Sequence, residues 1–264
     1  MSSQQNSLLE KIYLRYNRRE FVHPDPLEFL YRYESIADRE IAGLVASGLA
    51  YGRVKQILKS TEKVLGLLGP APSAFLCNSD PAMLGEKLKD FKHRFTTGLD
   101  MTAFLVSISA IQKEHGLIGS YLAKLVESRP YTESLDVFAR EVVSSMKMSG
   151  SESGHLLPLP SRGSACKRLH LFMRWMVRND DVDPGGWNMI SASELMVPVD
   201  VHMHRIGIKL GFTNRKAADA KTVEEITEGF RVVSSDDPVK YDFALTREGI
   251  QKITECELFR ELLG

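Results

Sequence analysis

The sequence predicts an all-α protein. Apolar residues recur at three- and four-residue intervals through most of the chain, which is the spacing that forms one face of an amphipathic helix. No segment shows the strict apolar–polar alternation of a half-buried strand. A chain of 264 residues can bury a full core, and we expect roughly ten or more short helices arranged as a single two-lobed unit.

Each expected helix is marked by its own run of apolar positions. Leu27 and Leu30 open the first helix after Pro26, and the next two carry apolar faces that begin at Ile41 and Val54. In chain order, helices are predicted around 27–34, 41–49, 54–65, 100–113, 117–127, 133–147, 164–178, 200–211, 221–233 and 238–250.

One stretch, residues 148–163, is incompatible with a helix. It contains four Ser, three Gly and two Pro, which are residues typical of loops. It is either a linker between lobes or a functional loop that leads into the helix expected at 164, and we favour the loop because basic residues begin there. Between Arg162 and Lys216, nine Lys or Arg stand against five Asp or Glu. That local excess is typical of a phosphate-binding face or of an ordinary solvated face.

The composition excludes several classes of protein. The chain has 34 basic and 34 acidic residues, so only a local basic face is available for nucleic acid. Its three cysteines, Cys77, Cys166 and Cys256, are scattered, and this spacing predicts neither a disulfide framework nor a metal site. The N-terminus lacks the features of a signal peptide, and no apolar run is long enough to span a membrane. We expect a soluble cytoplasmic protein without a membrane partner.

The most informative stretch is PVDVHMHRIGIKLGF, residues 198–212. Pro198 precedes Asp200, which stands where a helix is expected to begin, and an acidic residue is favoured there. His202 and Arg205 follow at spacings that place them on one helical face. An ordinary helix cap has this appearance, and so does a carboxylate that acts on a polyanion.

Two segments together resemble a known superfamily. PVDVHMHRIGIKLGF resembles the catalytic-aspartate segment of the helix-hairpin-helix DNA glycosylases, which include endonuclease III and 8-oxoguanine DNA glycosylase. RGSACKRLHLFMRWMV resembles the hairpin and lysine-bearing helix of the same superfamily, so the hairpin-like and catalytic segment covers 158–212. YDFALTREGI, residues 241–250, is similar to a late helix of the adenine-specific members. As a whole, the chain also resembles a divergent bacterial family without an assigned activity.

The resemblance implies that Lys167 attacks C1′ of a damaged nucleotide and that Asp200 stabilises the positive charge that develops on the sugar. Independently of the resemblance, the helix dipole disfavours a cation in the first turn. Arg162 and Arg168 are near Lys167 in sequence, and their positive charges also disfavour its protonated form. Both effects favour the neutral amine of Lys167, which is the nucleophilic form. For Lys167 the alternative is a surface lysine, and for Asp200 it is a helix cap.

The resemblance also implies which residues contact DNA. The hairpin and its flanks supply Arg162, Gly163, Ser164, Ala165 and Arg168, and the helix after Asp200 supplies His202 and Arg205. Phe243 and Arg247 are expected to line the pocket for the extruded base, with core packing as the alternative for Phe243.

The chain departs from the superfamily at three points. Lys167 and Asp200 are further apart than is usual, and we interpret residues 179–196 as a loop insertion. Ala165 stands where the family has its second hairpin glycine. No group of four cysteines is present for an iron–sulfur cluster, so we expect no cofactor and no metal.

These features predict a DNA glycosylase, with AP-lyase activity as a further expectation, that acts on duplex DNA by base flipping. A second hypothesis is a non-catalytic module that binds nucleic acid, either DNA or RNA, on the same fold. A third is a helical protein with a structural or partner-binding role and no affinity for nucleic acid.

Overall fold

A computed structural model describes residues 2–151, 154–251 and 257–263, and it confirms the all-α fold class. The α-helices, in chain order, are α1 (Ser3–Tyr16), α2 (Ile36–Gly48), α3 (Val54–Leu68), α4 (Pro72–Asn78), α5 (Pro81–Leu88), α6 (Gly98–His115), α7 (Ile118–Ser128), α8 (Tyr131–Met148), α9 (Lys167–Val177), α10 (Val201–Lys209), α11 (Ala220–Arg231), α12 (Asp242–Gln251) and α13 (Glu257–Leu263). Short 3₁₀ helices occupy Arg19–Phe21, Pro26–Arg32, Pro160–Arg162 and Ala192–Glu194. Strands β1 (Lys92–His93) and β2 (Thr96–Thr97) form one antiparallel hairpin.

The expected helices differ from the observed ones mainly at their ends. The segment after Pro26 is a 3₁₀ helix, capped by the Asp25 side chain, rather than an α-helix. The helix expected from Ser164 begins at Lys167, because Cys166 before it has left-handed backbone. Helices α1, α4, α5 and α13 and the β-hairpin are absent from the sequence prediction. The strands are two residues long, which is too short for alternation to register.

The chain divides into two compact units. We call residues 24–161 and 186–189 the central unit, and residues 1–23, 162–185 and 190–264 the terminal unit. In the central unit, α6 is apolar on most of its surface and packs against α2, α4, α5, α7 and α8. Phe104 and Ile108 of α6 are completely buried there. Such burial on several sides is expected of a helix without a polar face.

A buried carboxylate ties several segments of the central unit together. Glu40 of α2 accepts hydrogen bonds from the Gln112 side chain and from the backbone N–H groups of Ile118 and Gly119, at 2.8–2.9 Å. The indole N–H of Trp187 donates a further hydrogen bond of 2.8 Å to it. Burial raises the pKa of Glu40, and these donors partly offset that rise. The segment 186–189 is thereby fixed to the central unit.

In the terminal unit, most of α9 is buried. Leu169, Phe172, Met173 and Met176 form an apolar stripe on this helix, and all four are completely buried. Helix α12 packs against both α1 and α10, and α13 packs against α1. Within the described residues, no helix combines the length and the apolar character needed to cross a lipid bilayer.

Candidate functional site

The terminal unit brings Lys167 and Asp200 together. Lys167 is the first residue of α9, and Asp200 is the residue that caps the N-terminus of α10. The Lys167 Nζ lies 3.3 Å from the Asp200 Oδ2, although 33 positions separate the two residues in the chain. Their side chains are 34% and 18% exposed, so solvent reaches both members of the pair.

The two carboxylate oxygens of Asp200 have different partners. The Oδ1 atom accepts hydrogen bonds of 2.9 Å from the backbone N–H groups of His202 and Met203. These are N–H groups that the first turn of a helix leaves without an internal partner. The Oδ2 atom faces Lys167 instead. Asp200 is therefore a helix cap and an ion-pair partner at once, and the capping bonds fix the direction of the second oxygen.

The environment of Asp200 keeps its carboxylate ionised. Burial by itself raises the pKa of this group. The net effect of the surroundings is nevertheless to lower the pKa of Asp200 below its ordinary value. The groups that lower it are the ammonium of Lys167, the backbone N–H groups of Met203 and His202, and the His202 side chain. A preorganised negative charge of this kind can stabilise a cationic centre that forms beside it.

The hairpin-like turn before α9 is anchored to α11. The backbone oxygen of Gly163 accepts a hydrogen bond of 3.1 Å from the N–H of Ala220, and Ser164 forms a β-bridge with Asp219. Gly163 has a φ of +72°, a conformation that glycine adopts without strain. Cys166 also has positive φ and precedes Lys167 directly. This turn determines where the Lys167 side chain leaves the backbone.

Most of the expected DNA contacts lie on the surface of the terminal unit. Arg162, Gly163, Ser164 and Arg205 are exposed. The partly buried members of the set are Ala165, Arg168 and His202. Met203 and Ile206 of α10 are buried, as are Val199 before the helix and Leu210 after it.

The two residues expected to line a base pocket are buried. Phe243 is 1% exposed and Arg247 is 2% exposed. The Arg247 guanidinium carbon lies 4.0 Å from the centroid of the Phe243 ring, and Arg247 Nε donates to the Phe243 backbone oxygen. The stacking agrees with the alternative interpretation of Phe243, which is that it packs in the core. It does not support the prediction that Phe243 and Arg247 line a pocket for an extruded base.

Arg174 and Arg178 lie outside the apolar stripe of α9, yet the fold buries them too. Both are buried, because each finds carboxylate partners. Arg174 forms ion pairs with Asp183 and Asp242, and Arg178 pairs with Asp183 and with Asp237 at 2.8 Å. Two arginines four positions apart, followed closely by an Asp-rich run, are the sequence signal of this network.

The network also gives the segment 179–196 a structural role. The segment contains no α-helix or β-strand, only the short 3₁₀ turn at 192–194, as expected of a loop. Its Asp183 is nevertheless completely buried between the two arginines. Burial raises the pKa of Asp242 to about 6, the charge of Asp200 adds to the rise, and Arg174 opposes it. The charge of Asp200 therefore influences one member of this network.

A second exposed feature lies in the central unit. Phe95 occupies the turn of the β-hairpin and is 73% exposed. The Arg94 guanidinium carbon lies 5.6 Å from the centroid of its ring, and Arg94 has a φ of +53°. An exposed aromatic ring with a neighbouring arginine can stack on a nucleobase. The sequence interpretation overlooked this pair, because one phenylalanine in a polar turn carries no periodic signal.

His202 and His204 lie two positions apart on α10, a spacing that does not place two side chains on one helical face. The His204 Nε2 lies 2.9 Å from the backbone oxygen of Arg215, which gives this ring a hydrogen-bond partner in the protein. Of the cysteines, Cys77 is exposed and Cys166 is buried, and Cys256 lies outside the described residues.

Comparison with known proteins identifies a family. A family model described as a protein of unknown function, DUF2400, matches residues 25–251, which include both Lys167 and Asp200. No curated protein and no solved structure matches the chain. Because the matched region covers most of the chain, the protein belongs to the DUF2400 family.

Proposed function

We propose that the protein is a DNA glycosylase of the helix-hairpin-helix type, with Lys167 as nucleophile and Asp200 as the charge-stabilising acid. The observation that carries the proposal is the 3.3 Å approach of the Lys167 Nζ to the Asp200 Oδ2. A superfamily resemblance selected these two residues from separate segments. An accidental match gives no reason for the two side chains to meet at the N-termini of two helices.

The chemistry follows from the two groups. The Lys167 amine, once it has released a proton, attacks C1′ of the damaged nucleotide, and the bond between C1′ and the base nitrogen breaks. The base leaves with the bonding electrons and takes up a proton. Opening of the sugar then gives a protonated Schiff base between Lys167 and C1′. The proton that Lys167 releases passes to solvent, which reaches both side chains. Asp200 stays ionised beside Lys167, where its negative charge can stabilise positive charge on the sugar.

The surroundings of the pair suit a polyanionic substrate. Arg162 and Arg205 are exposed cations near Lys167 and Asp200 in sequence, and the N-termini of α9 and α10 carry partial positive charge. We assign duplex DNA as the substrate class.

Borohydride trapping tests the proposal. Purified full-length protein is incubated with duplexes that carry an abasic site or one of a panel of damaged bases, and the Schiff base is reduced to a stable adduct. We expect an adduct with wild-type protein and a loss of at least tenfold in Lys167→Gln. Lys221→Gln, which changes an exposed lysine of the same unit, is the matched control and is expected to retain trapping.

The alternatives give different results. A module that only binds nucleic acid forms no adduct and cleaves no lesion, but it retains DNA or RNA in a salt-sensitive manner, and Asp200→Asn leaves that binding intact. Absence of both trapping and binding at low salt identifies a structural or partner-binding protein. Either result overturns the glycosylase proposal.

A further inference from the structure

We propose that Glu114, His115 and Glu141 form a binding site for a divalent transition-metal ion such as Zn²⁺. The site lies in the central unit, apart from the Lys167–Asp200 pair, and it does not depend on the proposed glycosylase activity. Two of its residues end α6 and the third lies on α8, so a bound ion links these two helices.

The first argument is the spacing of the ligand atoms. One nitrogen of His115 and one oxygen from each glutamate all lie within 4.8 Å of one another. Ligands of a tetrahedral Zn²⁺ at bonds of about 2.1 Å are roughly 3.4 Å apart. Each side chain therefore needs to move by only about an ångström to close around an ion, within the reach of rotamer adjustments of partly exposed groups.

The second argument is that Tyr121 of α7 orients two of the three residues. Its hydroxyl donates a hydrogen bond to the Glu141 Oε2, and its ring stacks on the His115 imidazole with centroids 4.3 Å apart and planes 3° from parallel. Groups that hold ligand side chains in place are a regular feature of protein metal sites. Such support is not required for two glutamates that merely face water.

The third argument concerns charge. Glu114 and His115 lie in the last turn of α6, where the helix carries partial negative charge and favours a cation. Lys113 shares that turn, and Arg129 acts electrostatically on the Tyr121 hydroxyl. Glu114 is 72% exposed, and its Oε1 lies 3.8 Å from the His115 Nε2. A divalent cation bound by both carboxylates balances the charge of this cluster.

The ligand set indicates the kind of ion. An imidazole with two carboxylates suits Zn²⁺ and neighbouring transition metals, whereas Mg²⁺ prefers oxygen ligands alone. Three protein ligands leave at least one position for water on the exposed side. The structure thus assigns an open transition-metal site.

Isothermal titration calorimetry with Zn²⁺ on metal-stripped full-length protein tests the site. We expect one equivalent to bind, and we expect His115→Ala and Glu141→Gln each to weaken binding by at least tenfold. Glu114→Gln changes an exposed side chain and provides a variant that does not disturb packing. His23→Ala, which removes another exposed histidine, is the matched control and is expected to bind as wild type does.

A second readout separates coordination from loss of fold. Co²⁺ in place of Zn²⁺ is expected to give visible absorption bands of a four- or five-coordinate ion in wild type and in His23→Ala, and to lose them in Glu114→Gln. Far-UV circular dichroism checks that each variant is folded. Absence of stoichiometric Zn²⁺ binding, or equal binding by wild type and His115→Ala, overturns the proposal.

Discussion

Asp200 combines two functions in one side chain. The Oδ1 atom caps α10 through two backbone hydrogen bonds, and the Oδ2 atom pairs with Lys167. The cap explains why an Asp at this position fits a helix start, and it also directs the second oxygen. Structural and chemical interpretations of this residue are therefore compatible, and substitutions can separate them.

Asp200→Asn and Asp200→Ala are expected to differ in stability. Asn is as good a cap as Asp, so Asp200→Asn keeps the capping interaction and loses the ion pair. Asp200→Ala loses both, and we expect the free energy of unfolding to fall by about 1 kcal/mol more than in Asp200→Asn. Urea denaturation followed by circular dichroism measures the difference.

Trapping in the same two variants reports the chemical role. Both substitutions remove the negative charge, so both are expected to reduce adduct formation to a similar extent. If Asp200→Asn traps DNA as wild type does, the charge of Asp200 has no part in the reaction.

Sequence patterns located the pair but not its surroundings. The resemblance to the helix-hairpin-helix superfamily selects Lys167 and Asp200, and the helix start at Asp200 also leaves a local signal. The burial of Phe243 and Arg247 depends on how α12 packs, which the local sequence does not encode. Phe95 and Arg94 lie in a turn whose exposure is a tertiary property.

At the scale of the element, α9 connects the candidate site to the core. Its first residue, Lys167, is half-exposed, while Arg174, two turns later, is buried between Asp183 and Asp242. Arg174 thus joins α9 to α12 and to the loop that contains Asp183. We infer that these ion pairs hold α9 in the orientation that presents Lys167 to Asp200.

Arg174→Met is expected to destabilise the protein strongly. The substitution leaves two buried carboxylates without one of their cations, and breaking a buried ion pair in this way costs about 3–5 kcal/mol. Arg18→Met, which breaks an exposed ion pair with Glu20 in the same unit, is the matched control and is expected to cost under about 1 kcal/mol. If urea denaturation gives the same loss in the free energy of unfolding for both variants, the buried ion pairs stabilise the protein no more than the exposed one does.

Helix periodicity predicts the long elements well and the short ones poorly. Helices α6 and α8 each bury many apolar side chains, and both are predicted within a few residues of their observed ends. Helices α4 and α5 have seven and eight residues, and each begins with a proline. Because such short segments show little periodicity, their sequences resemble loops. The burial of Asp183 in the 179–196 segment is likewise hidden from periodicity, because ion pairs with residues outside the segment permit it.

At the scale of the whole molecule, electrostatics would limit the DNA binding that the proposed function requires. The chain carries no net charge, so binding is expected to depend on the few cations near the candidate site. The superfamily resemblance assigns three of these cations to phosphate contacts, namely Arg162, Arg168 and Arg205. A small set of contacts predicts a weak dependence of affinity on salt.

The slope of log affinity against log salt concentration measures the number of phosphate contacts. Three phosphate contacts predict a slope of about −3 on duplex DNA, and Arg205→Gln is expected to reduce its magnitude by about one. Lys221→Gln is again the control and is expected to leave the slope unchanged. A much steeper slope would mean that a larger basic surface than this set engages the duplex.

The most direct test of the whole account is to identify the residue that bonds to DNA. The borohydride-reduced adduct is digested with protease and nuclease, and the modified peptide is sequenced by mass spectrometry. The account predicts a sugar remnant on Lys167 and on no other lysine. A remnant on a different lysine, or no adduct with any lesion, would contradict it.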